Sequence, residues 1–212
     1  MSGYMEEYLR WRQAEKLAPQ LKAELEAIAN NPKEIEERFY TELEFGTAGL
    51  RGILGAGTNR MNAQVIKRAT LGLSEYILGF AGGAERGVAI AYDSRRMSPE
   101  FSMEAALCLA ANGIKAYRFE SLRPTPELSF AVRYLDCVAG INVTASHNPP
   151  EYNGYKVYWE DGAQITPPHD TGIMAEVKAI TDFADTKTME MIDAIKAGLL
   201  VTICAEVDDA YM

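Results

Sequence analysis

The sequence predicts an α/β protein: a three-layer α-β-α domain built on a mixed, mainly parallel sheet, preceded by an N-terminal helical extension. Between residues 87 and 143, short β-branched apolar runs alternate with segments that are apolar at helical spacing, in the order β-α-β-α-β. Right-handed crossovers between such strands produce a doubly wound, largely parallel sheet. Before residue 46, apolar residues recur at helical spacing among many Glu, Lys, Arg and Ala residues, which is typical of amphipathic helices.

The sequence of the N-terminal extension predicts two helices. Residues 4–29 form one amphipathic stretch with a bend at Pro19, and Asn30-Asn31-Pro32 ends it. A second helix runs from 32 to about 40, because it has proline in its first turn and acidic residues soon after.

The remaining elements follow from apolar spacing and from Asn, Ser, Gly and Pro at the boundaries. Asn62 caps a helix that ends at Gly82-Gly83, and Ser98 caps another. In chain order the later segments are a strand at 87–92, a helix at 98–111, a strand at 114–119, a helix at 125–135, a strand at 138–143, a hairpin of 155–159 with 164–166, helices at 167–183 and 189–200, and a strand at 200–204.

Composition narrows the possible function classes. The net charge of −9 argues against nucleic acid as the main partner, and the acidity lies at the two ends: residues 46–169 hold eleven acids and twelve bases. No apolar run approaches the ~20 residues that span a bilayer, and the charged N-terminus lacks a signal-peptide core. The three cysteines are far apart in apolar surroundings and are expected to be buried free thiols. We therefore expect a cytoplasmic protein with no membrane partner.

The chemistry-bearing loop lies between residues 137 and 159. The buried strand ends near Thr144, and a turn-rich loop follows with Ser146, His147, Asn148 and two prolines that stiffen it. In an extended loop, adjacent side chains point to opposite sides, so His147 is not expected to act as a base for Ser146.

Thr144-Ala145-Ser146-His147-Asn148-Pro149, followed by Asn153-Gly154-Tyr155-Lys156, resembles the active-serine segment of the α-D-phosphohexomutases. The resemblance implies that Ser146 carries a phosphoryl group, donates it to a sugar phosphate, and takes the other phosphate back from the resulting bisphosphate. The long helical extension is more similar to the phosphoglucomutase and phosphopentomutase branch than to the shorter phosphomannomutases.

Phe45 to Gly52, FGTAGLRG, also matches the first motif of that family. A tight turn would account for its three glycines, but not for Arg51, whose fork of donors matches phosphate oxygens. The resemblance implies that Arg51 lies beside the phosphoserine, and that Thr47, His147 and Asn148 take part in binding the sugar phosphate.

Two further sites keep alternative interpretations. Asp93-Ser94-Arg95, after the strand at 87–92, resembles a family motif at a strand end, yet Asp93 and Arg95 could equally form a structural ion pair. Lys156 could be an exposed edge lysine, whereas the resemblance implies proton transfer to or from the sugar hydroxyl. His147 is the other candidate for this acid/base role.

The resemblance covers only the first of four domains. It implies Mg²⁺ as cofactor, bound by the Ser146 oxygen and by three aspartates of a DGDxDR loop that this sequence lacks, with glucose 1,6-bisphosphate as activator and intermediate. The expected organisation is a helical extension at 1–45, a domain with the active serine at 46–205, and the start of a linker or second domain at 206–212. The partners are then a small-molecule sugar phosphate and the remaining domains of the same polypeptide, without which the fragment is expected to be inactive.

The function expected is therefore a phosphoglucomutase-type isomerase acting on glucose 1-phosphate and glucose 6-phosphate. The alternatives are a phosphopentomutase or phosphomannomutase, or a non-catalytic sugar-phosphate-binding module. A serine hydrolase is disfavoured because the sequence has no G-x-S-x-G elbow and only two histidines, His147 and His169.

Overall fold

The computed structural model describes residues 3–15, 17–44, 49–182 and 186–212. The helices within these ranges are α1 (Gly3–Gln13), α2 (Pro19–Ala27), α3 (Pro32–Phe39), α4 (Ala63–Leu78), α5 (Gly83–Arg86), α6 (Ser98–Ala111), α7 (Thr125–Tyr134), α8 (His169–Ala179), α9 (Met191–Lys196) and α10 (Ala205–Tyr211). The strands are β1 (Leu50–Ile53), β2 (Val88–Tyr92), β3 (Ala116–Phe119), β4 (Ala139–Val143), β5 (Tyr152–Trp159) and β6 (Leu200–Ile203).

The six strands form one mixed sheet in the order β1-β5-β4-β2-β3-β6. The pairs β4-β2, β2-β3 and β3-β6 are parallel, and β5 runs antiparallel to both of its neighbours. Strands β2 and β4 are buried at every residue, as expected for central strands that are covered on both faces. The predicted fold class, a mixed and mainly parallel α/β sheet, is confirmed.

Helices cover the sheet on both sides. Helices α4, α6, α8 and α9 pack on one face around Ile66, Leu73, Ile90, Leu109 and Tyr155. On the other face, α7 and α10 pack against Phe119, Leu128 and Val207. These are the three layers that the sequence predicts.

The direction of the connections reverses between β2 and β4. From β2 the chain crosses through α6 to β3 on one side, whereas from β4 it turns to β5 on the other. Ligands of open α/β sheets bind at such a switch point, beyond the carboxyl ends of the strands. Asp93 and Thr144, which directly follow β2 and β4, lie at this point, so the fold places the serine loop there.

The helical extension has its own small core, and its first predicted helix is wrong as a single element. Helices α1, α2 and α3 bury Tyr8, Trp11, Leu25, Ile35 and Phe39 together. Helix α1 ends at Gln13 and α2 begins at Pro19, because Ala18 adopts an extended conformation (ψ 140°) before that proline. Helix α3 agrees with its prediction.

Three other helices begin or end differently from the prediction. Helix α4 ends at Leu78 rather than Gly82-Gly83, and those glycines instead begin α5. Ser98 is the first residue of α6 and not its cap: Met97, with a φ of 66°, occupies the cap position. Helix α9 is only six residues long and is followed by a left-handed turn at Gly198.

Four further strand and helix assignments also change. Strand β1 was not predicted at all, and β5 begins at Tyr152, three residues before the predicted hairpin strand. The returning arm of that hairpin pairs through a single bridge between Tyr158 and Gln164. The helix predicted at 167–183 ends at Ala179, and residue 183 lies outside the described residues.

Residues 205–211 pack on the domain as α10. Arg123 Nε donates to Asp208 Oδ1 at 2.8 Å, and the guanidinium lowers the pKa of that carboxyl. Tyr211 contacts Phe130 on α7. The domain boundaries at 45/46 and 205/206 stay predictions.

Two of the three cysteines are buried as expected. Burial raises the pKa of Cys108 and of Cys137 to about 12, so both thiols stay protonated at neutral pH. Cys204 is half-buried, which corrects the prediction for that residue. Among the described helices, none has both the length and the apolar character required to span a membrane.

Asn62 should be one of the costliest polar side chains to remove from the fold. Its Oδ1 accepts from the amides of Gln64 and Val65, and its Nδ2 donates to the carbonyls of Gly55, Gly57 and Arg60. We expect Asn62→Ala to lower the free energy of unfolding by about 2 kcal/mol, because it removes a cap and leaves buried groups without partners.

The matched control is Asn31→Ala, which removes the exposed cap of α3 and its single 3.3 Å bond. Its expected cost is about 0.5 kcal/mol. Urea unfolding curves measure both values, and equal costs for the two variants would contradict the prediction.

Candidate active site

The candidate site is the loop of residues 144–152 together with the adjoining ends of β1 and β5. Ser146 and His147 are exposed, whereas Thr144 and Ala145 are buried where β4 ends. The loop thus presents a hydroxyl to solvent from a buried strand.

Ser146 has an unusual backbone conformation. Its φ is 56°, the left-handed region that non-glycine residues rarely adopt. Its amide donates to Thr144 Oγ1 at 3.0 Å. Both features fix the direction in which the serine side chain leaves the backbone.

The same conformation corrects the expectation that Ser146 and His147 point apart. Ser146 Oγ lies 3.4 Å from His147 Nδ1, because the left-handed residue turns the loop instead of extending it. No carboxylate among the described residues bonds to His147, so a hydrolase-type triad is incomplete. His169 stacks on Trp159 and contacts the Tyr76 hydroxyl, away from this loop.

Arg51 and Lys156 lie on the same face of the sheet. Arg51 pairs with Gly154 in the β1-β5 register, and Lys156 is two residues further along β5, so both side chains leave the same face. Neither side chain has a hydrogen bond or ion pair with another described residue. Within the described part of the chain, these two basic side chains therefore have no partner, and their strands adjoin the serine loop.

Gly154 allows this close arrangement. Its carbonyl accepts from the Thr144 amide at 3.1 Å. A Cβ there would lie 2.6 Å from the Thr144 oxygen and 2.8 Å from the Leu50 oxygen, both of the backbone. The glycine of the NGYK segment therefore serves the packing of three adjacent strand segments.

Asn153 is a structural residue that the sequence argument did not assign. It is fully buried, and its Nδ2 donates to the carbonyl of Arg96 at 2.9 Å and to Ser98 Oγ at 3.0 Å. This joins the start of β5 to the turn after β2. In the sequence, the only sign of this role is that the asparagine directly precedes Gly154 within a strand.

Asp93 and Arg95 form the ion pair that was one of the two open interpretations. Arg95 Nε lies 3.6 Å from Asp93 Oδ2. Asp93 Oδ1 accepts from the Arg95 amide and from Ser98 Oγ, and the Arg95 guanidinium donates to backbone carbonyls of the serine loop.

Of the residues predicted for the site, Arg51, Ser146, His147, Asn148 and Lys156 lie at one end of the sheet, around the switch point. Asn148 is half-buried, and its Oδ1 has no hydrogen-bond partner among the described residues. Thr47 lies outside the described residues. No cluster of three or more His, Cys, Asp or Glu side chains suited to a metal ion occurs in the described part of the chain.

The structure thus combines a three-layer α-β-α domain with an exposed serine on a hydrogen-bonded loop at the switch point of its sheet. Residues 42–184 match the family model described as phosphoglucomutase/phosphomannomutase, alpha/beta/alpha domain I. The chain belongs to this family.

Individual relatives agree with this assignment. The chain is 48% identical over 134 residues to a phosphoglucomutase of Staphylococcus epidermidis, covering 63% of this chain and 24% of that protein. It is 40% identical over 180 residues to a phosphopentomutase of Homo sapiens, covering 81% of this chain and 29% of that protein. The chain thus spans roughly a quarter to a third of the length of the curated relatives it matches.

A solved structure shares the fold. A phosphoglucomutase/phosphomannomutase family protein from Burkholderia thailandensis superimposes with a TM-score of 0.57 at 25% identity, over 78% of this chain and 34% of that one.

Proposed function

We propose that this chain is the phosphoserine-bearing domain of a phosphoglucomutase-type enzyme that interconverts glucose 1-phosphate and glucose 6-phosphate. The observation that carries the proposal is the exposed Ser146 hydroxyl on a fixed loop next to the strands that hold Arg51 and Lys156, neither of which has a partner among the described residues. Phosphoryl transfer depends on positioning and charge neutralisation more than on covalent chemistry by the protein, and these residues supply both.

The proposed reaction transfers one phosphoryl group in each direction. The bond between Ser146 Oγ and phosphorus breaks as a bond from a sugar hydroxyl to that phosphorus forms, and Lys156 or His147 accepts the hydroxyl proton on an unprotonated nitrogen. The bisphosphate then returns its other phosphoryl group to Ser146, with the proton going back to the sugar oxygen. Arg51 stabilises the negative charge on the transferring group.

Mg²⁺ fits only in part with the residues present. Ser146 is the only ligand that we assign to it in this chain, because the nearby Asp93 carboxylate already holds Arg95 and Ser98. When bound, a divalent cation would neutralise charge on the phosphoryl oxygens. We propose that its carboxylate ligands, and the groups that recognise the sugar, come from further domains of the same polypeptide.

The alternatives are activity on pentose or mannose phosphates, or binding of a sugar phosphate without turnover. Similarity to proteins named phosphoglucomutase and phosphopentomutase supports glucose phosphates and pentose phosphates as substrates. Phosphate on Ser146 would distinguish a mutase from a binding module, since binding alone gives no reason for the serine to hold it.

For the longer protein that contains these residues, we expect glucose 1-phosphate to be the preferred substrate. A panel of hexose and pentose 1-phosphates, with glucose 1,6-bisphosphate and Mg²⁺ present, measures kcat/KM for each. A marked preference for mannose or glucosamine phosphates would contradict this prediction, and a preference for pentose phosphates would favour the phosphopentomutase alternative.

Substitutions at the site should separate chemistry from folding. Ser146→Ala should abolish turnover in the longer protein, and Lys156→Ala and Arg51→Ala should each lower kcat by about 10²- to 10⁴-fold, the usual cost of removing a general acid/base or a charge-stabilising donor. Arg133→Ala is the control, because that exposed arginine on α7 bonds only to the Ser129 carbonyl among the described residues. Near-normal turnover by Ser146→Ala would refute the phosphoserine assignment.

The 212-residue chain alone should fold and be inactive. Its core clusters are closed on both faces of the sheet, but it lacks three carboxylates grouped for a metal in its described residues. Circular dichroism tests folding, and a coupled assay tests conversion of glucose 1-phosphate. Conversion that EDTA does not inhibit would show that these residues contain a complete site.

A further inference from the structure

We propose that Arg95 is a positioning residue that fixes the conformation of the serine loop, so that the Ser146 hydroxyl is held in place for transfer. This inference rests on the proposed function. The Arg95 guanidinium binds four loop carbonyls: Nη2 donates to those of Ser146 at 2.7 Å and Asn148 at 2.6 Å, and Nη1 to those of Pro149 at 2.9 Å and Tyr152 at 3.1 Å.

Within the loop, the Asn148 amide donates to the Ala145 carbonyl and the Tyr152 amide donates to the Pro149 carbonyl, so the carbonyls of Ser146 and Asn148 depend on Arg95. Pro149 and Pro150 have no amide hydrogen to donate, and the left-handed conformation of Ser146 is intrinsically unfavourable. The Ser146 carbonyl is one of the four that Arg95 binds, and Thr144 Oγ1 accepts from the Ser146 amide. The peptide groups on both sides of the serine are therefore fixed, one by Thr144 within the loop and the other by Arg95 from outside it.

Arg95 is itself held in place. The Asp93 carboxylate pairs with its Nε at 3.6 Å and accepts from its backbone amide at 3.0 Å. Asp93 also accepts from Ser98 Oγ, which in turn accepts from Asn153 Nδ2. This network links the end of β2 to the start of β5, on the two sides of β4, and the serine loop lies across it.

The expected consequence concerns kcat more than KM. A group displaced by about 1 Å from its reacting position can lose about 10²-fold in rate, whereas Arg95 itself is committed to backbone carbonyls and is not expected to bind the sugar. Loosening the loop should therefore slow transfer and leave the apparent affinity for substrate nearly unchanged.

Arg95→Lys is the decisive variant. Lysine keeps the positive charge and the ion pair with Asp93, but its single nitrogen cannot reach both pairs of carbonyls as a planar fork does. In the longer protein we expect kcat to fall about 10- to 100-fold with KM changed less than about threefold. Hydrogen exchange of amides in residues 145–152 should become faster.

Arg86→Lys is the matched control. Arg86 likewise binds two backbone carbonyls, of Asp136 and Cys137, and two carboxylates, of Asp136 and Glu160, but next to the start of β4, away from the serine loop. We expect the kcat of Arg86→Lys and its amide hydrogen exchange at residues 145–152 to match those of the parent protein.

Should Arg95→Lys fail to fold, Asp93→Asn is the second variant, because it weakens the same network and retains the guanidinium. We expect it to lose less kcat than Arg95→Lys and to exchange the loop amides faster than the parent protein.

Parent-like kcat and loop exchange in Arg95→Lys would overturn the inference, as would equal losses in Arg86→Lys. If the parent protein turns over no sugar phosphate at all, the proposed function fails separately. Loop exchange then still decides whether Arg95 holds the loop: acceleration in Arg95→Lys alone supports that role, and no acceleration refutes it.

Discussion

The backbone pairing of β4, parallel to β2 on one side and antiparallel to β5 on the other, is the constraint on which the rest of the site depends. Because β4 is central and fully buried, its end defines a fixed point from which the serine loop leaves. The antiparallel return in β5 brings Lys156 back beside β4, opposite Asn142. The edge pairing of β1 with β5 then adds Arg51. Residues more than ninety positions apart in sequence thus meet through three adjacent strands.

Much of the fold could be predicted from the sequence because its signals are local. Strand-like and helix-like segments alternate between Gly87 and Val143, and this pattern predicted the central strands and their helices. Asn62 indicated the start of α4. Strand β1 could not be found this way: it has four residues, includes Gly52 and exposes Arg51, so it exists only because β5 provides a partner. Residues 14–18 were equally ambiguous, since helical spacing continues through a break that the conformation of Ala18 imposes.

The sequence indicated which residues belong to the candidate site, but not how they are arranged. A hydroxyl, an arginine and a lysine in recognisable segments indicated phosphoryl chemistry. The left-handed backbone of Ser146 has no sequence signal, because serine rarely adopts it, and the assumption of an extended loop led to the wrong relation between Ser146 and His147. Tertiary hydrogen bonds, chiefly from Arg95, select that conformation.

The residues that carry the family resemblance therefore form two groups that differ in burial and in hydrogen bonding. Ser146 and Arg51 are exposed, and the half-buried Lys156 leaves the sheet on the same face as Arg51. Asp93, Asn153 and Gly154 have no such freedom: Asn153 is buried and bonded on both ends of its amide, and Gly154 leaves no room for a Cβ. A preorganised site needs both groups, since donors act strongly on a transition state only when they are held in position beforehand. Several residues of the motif therefore hold the loop and its neighbouring strands in place. This is why a short sequence match also predicts the fold around it.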